Sequence, residues 1–240
     1  MSWYQELAEF VCDGLDTCGY VYCPGEIMAK TDEWRQPLAG WKQKVRRWVA
    51  TPTPDAAMRV SIFFDLRSIH GVSGLCDQLQ VTMLEQASSN SIFLAALAAN
   101  ALDVKPPLGI FRRFVLDRDG EHRDFLDLKK RGVLPITEII RLRALANKIP
   151  AVNTQERLKA LAHEKHMTIV DSRNLVDALH FIQQQRIKHQ CGQILRGEKV
   201  TNFLNPKDLP KMAKEQLRDA FTIIDDAQSA VRQTYRAGMG

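Results

Sequence analysis

The sequence predicts an α+β protein that is mostly helical: a mixed α/β segment over residues 1–87, then a helical bundle with one β-hairpin over residues 88–240. Three observations predict it. From Leu75 onward, apolar residues recur at helical spacing in one segment after another. Val60-Ser61-Ile62-Phe63-Phe64-Asp65-Leu66-Arg67 is short and rich in β-branched and aromatic residues, which reads as a buried strand. Asp117-Arg118-Asp119-Gly120 is a turn signal between Phe111 to Leu116 and His122 to Leu128, which predicts the hairpin.

The elements follow in order. Leu7, Phe10, Val11 and Leu15 share one face of a first helix over residues 4–15, closed by Gly14 and Gly19. Cys23-Pro24-Gly25 turns the chain. Trp34, Leu38, Trp41, Val45 and Trp48 lie along one face of a second helix that stops before Thr51-Pro52-Thr53-Pro54. The three tryptophans, seven apart, read as core packing rather than a base-stacking surface. After the Asp65 strand come helices over 75–86, 92–102, 136–147, 154–164, 172–195 and 209–236, the fourth of these opened by Asn153 as N-cap. The loop from Asn202 to Pro206, with Pro210, separates the last two, which should pack antiparallel.

At 240 residues the chain forms one large domain or two small ones, and 45% hydrophobic with 25% charged residues argues against disorder, collagen-like repeats and a disulfide-stapled miniprotein. Thirty-three Lys plus Arg against 28 Asp plus Glu leaves +5, which favours anionic partners without choosing among them. Five cysteines, an odd number, fit a reducing compartment. No signal-peptide pattern opens the chain and no apolar run approaches the ~20 residues of a membrane span, so a cytoplasmic protein without a membrane partner is expected.

The standard phosphate loop, dinucleotide fingerprint, nucleophile elbow and His-Glu-x-x-His motif are absent. A zinc site from Cys12, Cys18 and Cys23 lacks both a Cys-x-x-Cys pair and an evident fourth ligand. Asp65 stands out, because a carboxylate between Phe64 and Leu66 on a buried strand needs a partner or a cation. Arg67, two residues on, would face the same side and offers a structural ion pair; a magnesium carboxylate is the alternative.

Cys23-Pro24-Gly25-Glu26-Ile27-Met28-Ala29, Trp34-Arg35 and Ser61 to Arg67 resemble a nucleotidyltransferase family often linked to CBS and cyclic-nucleotide-binding domains. Pro106-Pro107-Leu108-Gly109, Gly120-Glu121-His122, Asp127-Leu128-Lys129, Arg131-Gly132, Pro135-Ile136, Arg141, Asn153-Thr154, Arg157-Leu158, Arg186 and His189-Gln190 resemble that family's C-terminal substrate-binding domain, so the resemblance covers essentially the whole chain. The family is in turn similar to the N-terminal region of protein-PII uridylyltransferases.

The resemblance implies part of a polymerase-β-like nucleotidyltransferase core over 1–87 and a helical substrate-binding domain over 88–240. It implies transfer of a nucleoside monophosphate from ATP or UTP to a protein or small-molecule acceptor, with Mg²⁺ as cofactor and a role in signal transduction. Asp65 matches the third carboxylate of such cores, the catalytic and metal-binding one. Arg67, Lys129, Arg131, Arg186, His189 and Gln190 become nucleotide- or substrate-binding candidates. Arg186, His189 and Gln190 fall at i, i+3 and i+4 on one helix face, where a polar seam between helices is the competing reading. The family's Gly-Ser turn and Asp-x-Asp pair do not precede Asp65, and Asp117 with Asp119 sit on a turn after it. The expectation is therefore a chain that starts inside the fold, active only when completed, or else a non-catalytic nucleotide-sensing or protein-interaction module. An incomplete sheet would leave an open edge and favour a homodimer; nucleic-acid binding rests on the charge alone.

Overall fold

The computed structural model describes residues 2–109, 113–116 and 124–235. The first part of the chain forms α1 (Ser2–Thr17), α2 (Leu38–Ala50), α3 (Pro54–Phe63) and α4 (Gly74–Ser88). The second part forms α5 (Ser91–Asp103), β1 (Leu126–Asp127), a π-helical turn (Lys129–Val133), α6 (Leu134–Ala146), α7 (Thr154–His163), α8 (Ile169–Leu195), β2 (Phe203–Leu204) and α9 (Lys211–Tyr235). The protein is thus mostly helical α+β.

One expected element changes type. Residues 54–63 are helix, and no strand occurs among the described residues before 88. Thr53 caps α3 by accepting from the Ala56 N–H at 3.1 Å, and Asp55 in the first turn pairs with Arg59 at 2.7 Å. The buried residues Ala56, Ala57, Val60, Phe63 and Phe64 then recur at helical spacing. Asp65 consequently sits in the turn that ends a helix, not on a strand, and the sheet edge on which the homodimer expectation rested is absent from the described residues.

The small antiparallel sheet pairs Leu126 with Leu204 and Asp127 with Phe203, so its partners lie far apart in sequence. Of the expected hairpin, Phe114 bridges Leu108, while residues 111, 112 and 117–123, including the turn, lie outside the described residues.

Side-chain caps start most of the later helices. Asn90 accepts from the Phe93 N–H at 2.9 Å, Asn153 from Gln155 and Glu156, and Thr168 from Asp171 at 3.0 Å. The helices close on one large core in which α6 is central: Ile136, Ile139, Ile140, Leu142, Ala144 and Leu145 are all buried. Val49, Ala57, Val60, Phe64, Leu84 and Ala87 belong to the same core, so packing runs across residue 88. A smaller cluster holds Trp34, Val45, Phe63, Leu79 and Met83, with Trp41 and Trp48 against it. Phe63 is its centre, 4.7 Å from the Trp41 ring and 5.1 Å from the Trp34 ring. The tryptophan stripe is core packing.

Helices α8 and α9 run antiparallel. One cleft between them is lined by Asp171, Asn174 and Leu175 with Ile223, Asp226 and Ala230, and the next by Asp177, Ala178 and Phe181 with Gln216, Asp219 and Ala220. Gly132, in the π-helical turn, is wedged against both helices: a β-carbon there would stand 2.9 Å from Ile182 Cγ2 and 3.5 Å from Phe221 Cε1. Only glycine lets this turn approach so closely. No helix of the described residues is long and apolar enough to cross a membrane.

Candidate substrate-binding seam

Two polar clusters interrupt the apolar interior. The first surrounds Asp65. Arg157 Nη1 lies 2.7 Å from Asp65 Oδ1, and Arg141 meets both carboxylate oxygens, Nη2 at 2.5 Å from Oδ2 and Nε at 3.3 Å from Oδ1. Arg141 also donates to Glu138 Oε1 at 2.6 Å, and Ser61 Oγ is 3.3 Å from the other Glu138 oxygen. Arg157 is 1% exposed; it donates through Nε to the Ala151 carbonyl at 2.6 Å and through Nη2 to the Phe64 carbonyl at 3.3 Å, and its guanidinium lies over the Phe64 ring.

Burial lowers the Arg157 pKa, with Asp65 opposing it. At Arg141 burial also pulls downward, but the hydrogen bond to Asp65 and the charges of Glu138 and Asp65 outweigh it and the net shift is upward. Both remain guanidinium cations at neutral pH. The cluster therefore fastens the end of α3 to α6 and α7.

This environment does not fit a magnesium ion at Asp65. A divalent cation needs oxygen ligands with free lone pairs, whereas both Asp65 oxygens face guanidinium groups whose charge would repel it. Among the described residues, no group of three His, Cys, Asp or Glu side chains could hold a metal, the Cys12, Cys18 and Cys23 set included. Arg67, the partner expected for Asp65, is exposed beyond the end of α3.

The second cluster lies where α8 and α9 pack beside the π-helical turn, beyond the clefts described above. Ile182 points at Gly132; Arg186 and His189 lie one and two turns further along the same side of α8. Phe221 points at Gly132 from α9, and Arg218 lies one turn from it in the matching direction, because the helices are antiparallel. The Arg218 guanidinium stacks over the Phe114 ring, 5.0 Å from its centre, and Phe114 packs edge-on against Phe221. Arg186 Nε, His189 Nε2 and Arg218 Nε are buried without a hydrogen-bond partner.

The remaining candidates surround this cluster with different engagements. Gln190 Nε2 donates to Asn202 Oδ1 at 3.2 Å and to the Thr201 carbonyl at 3.4 Å, tying α8 to the segment before β2. Lys129 is exposed on the π-helical turn; Arg131, on the same turn, is half-buried and not free. Arg218 was not among the sequence candidates, because nothing in the sequence distinguishes it from other basic residues on amphipathic α9. Burial lowers the His189 pKa first, and the Arg196 charge adds to this. A hydrogen bond to the Phe203 carbonyl and the charges of Glu198 and Asp208 oppose it. The shift favours the neutral ring, and Nε2 is buried without a partner.

Comparison with known proteins adds to this geometry. Residues 91–235 match the family described as "Putative nucleotidyltransferase substrate binding domain", and residues 1–55 match "Putative nucleotidyltransferase DUF294". Asp65 falls between the two matches, whereas the second cluster falls inside the first. No curated protein and no solved structure matches the chain. With the larger match covering α5 to α9, the chain belongs to the putative nucleotidyltransferase family that carries a C-terminal substrate-binding domain.

Proposed function

We propose that this chain supplies the substrate-binding part of a nucleotidyltransferase that moves a nucleoside monophosphate from ATP or UTP to a protein or small-molecule acceptor. The observation that carries this reading is the family match over residues 91–235, which encloses Arg186, His189 and Arg218, whose buried side-chain nitrogens have no hydrogen-bond partner. Phosphoryl transfer depends on positioning and on neutralising phosphate charge. Two arginines and a histidine in one cluster suit that need. In this reading Mg²⁺ arrives with the triphosphate, since the described residues offer no cluster to hold it.

A second reading is a nucleotide-sensing module without catalysis, favoured by the engagement of Asp65 with Arg141 and Arg157. Calorimetric titration with ATP, UTP and GTP, with and without Mg²⁺, tests what the readings share. Saturable binding of one nucleotide supports both and names the ligand; no binding of any contradicts both. Transfer of label from an α-labelled form of that nucleotide then separates them.

A further inference from the structure

The Arg186, His189 and Arg218 nitrogens pose a specific physical problem. A buried polar group without a partner is destabilising, so folds seldom leave one without a reason. Here two of the three sit on cations, and among the described residues no carboxylate forms an ion pair with Arg186 or Arg218; Asp208 bears on His189 through its charge alone. Asp127 accepts from the Lys130 backbone N–H at 2.8 Å, Glu198 is paired with Arg196, and Asp219 is not free. The contrast with Asp65, where a carboxylate answers each arginine, shows that this chain supplies counter-charges when its arginines are structural.

We propose that the cluster of Arg186, His189 and Arg218 binds a phosphoryl anion. Each guanidinium donates Nε–H to a phosphate oxygen, a charge-assisted bond with the planar geometry that arginine offers. The Phe114 ring supports the Arg218 guanidinium from one side, and the Phe203 carbonyl favours the protonated form of His189. The inference rests on the nucleotidyltransferase reading in one respect: the phosphates are taken to be those of a nucleotide.

His189 adds a pH dependence. The charges that act on it are the Arg196–Glu198 pair at the end of α8 and Asp208 before α9, and Arg186 lies one turn before it on α8. An anion at this cluster offsets the arginine charges and offers Nε2 an acceptor, so binding favours the imidazolium and takes up a proton. Affinity then rises as pH falls through the ordinary histidine range.

The test is titration with inorganic pyrophosphate, with ATP, UTP and GTP, and with the corresponding free nucleosides. The wild type should bind pyrophosphate, and Arg186→Met combined with Arg218→Met should weaken pyrophosphate and nucleotide by at least about tenfold, as losing charge-assisted bonds predicts. Should the double variant misfold, single Arg186→Gln and Arg218→Gln replacements are each expected to show several-fold losses. His189→Asn keeps a donor for the Phe203 carbonyl and should flatten the pH dependence relative to wild type. Wild type that ignores pyrophosphate, or arginine variants that bind it as wild type does, overturns the anion site. Nucleotide binding untouched by all these variants overturns it while leaving the nucleotidyltransferase reading intact. Pyrophosphate binding lost in the arginine variants, with no nucleotide bound by the wild type, does the reverse.

Discussion

The junction of α3 with α6 and α7 and the packing of α8 on α9 each hold an arginine-bearing polar cluster inside a helical protein, yet they solve the same problem in opposite ways. At the junction, two guanidinium groups close on Asp65, Glu138 and two backbone carbonyls. Between α8 and α9, two guanidinium Nε atoms and an imidazole nitrogen are buried without a hydrogen-bond partner. A buried arginine whose counter-charge lies within the fold is part of the fold. One whose counter-charge is missing points to something the fold receives.

Breaking the junction should produce the largest effect on stability. Arg157→Met leaves the Asp65 carboxylate short of a partner and strips the Phe64 and Ala151 carbonyls of theirs, and should cost about 3–5 kcal/mol in denaturant unfolding. Asp65→Asn removes the charge but keeps an oxygen for one arginine, and should cost about 2 kcal/mol. The same measurement on Arg186→Met with Arg218→Met should show no loss or a small gain, because burying a methionine is easier than burying an unpaired donor. A stability loss there as large as that of Arg157→Met would erase the contrast between the two regions.

Smaller changes sharpen it. Gly132→Ala pushes a methyl into Ile182, which should cost about 1–3 kcal/mol and disturb the α8–α9 cluster by displacing the π-helical turn. Asn153→Ala removes the cap of α7, remote from this cluster, and should cost about 1 kcal/mol without touching pyrophosphate affinity. The smallest effect is on pH. Because the folded state holds the His189 pKa below its unfolded value, the unfolded chain binds more protons in that window. Stability from this group is therefore present above the ordinary histidine range and declines as pH falls through it. That component should vanish in His189→Asn and shrink when pyrophosphate is bound.

Much of this was legible in the sequence. Helical periodicity located eight of the helices among the described residues within a few residues, and the tryptophan stripe was read as core. The Asp65 segment misled because Val60 to Phe64 is rich in strand-favouring residues. The better signal stood just upstream: Thr53 as cap, proline at the first helical position, Asp55 four residues before Arg59, and alanines at 56 and 57. Tertiary burial on one helix face overrode local β preference. At the candidate sites, Arg186 and His189 could be named from their spacing and the family resemblance. Arg218 could not, since only the antiparallel packing of α9 on α8 brings it to the same cluster. Arg141 and Arg157 were visible as motif residues, but their bond to Asp65 spans 76 residues in sequence for Arg141, which spacing cannot reveal.

The most direct test of the division between the two clusters is the pyrophosphate-induced shift in melting temperature, measured on wild type, Asp65→Asn and the Arg186→Met, Arg218→Met double variant. A ligand that binds only the folded chain raises its stability by mass action, about 2.7 kcal/mol at a hundredfold excess over Kd. The expected result is a lower melting temperature but a preserved shift in Asp65→Asn, and an abolished shift in the double variant. A shift lost in Asp65→Asn and kept in the double variant would contradict the account, and would return the anion to the Asp65 junction.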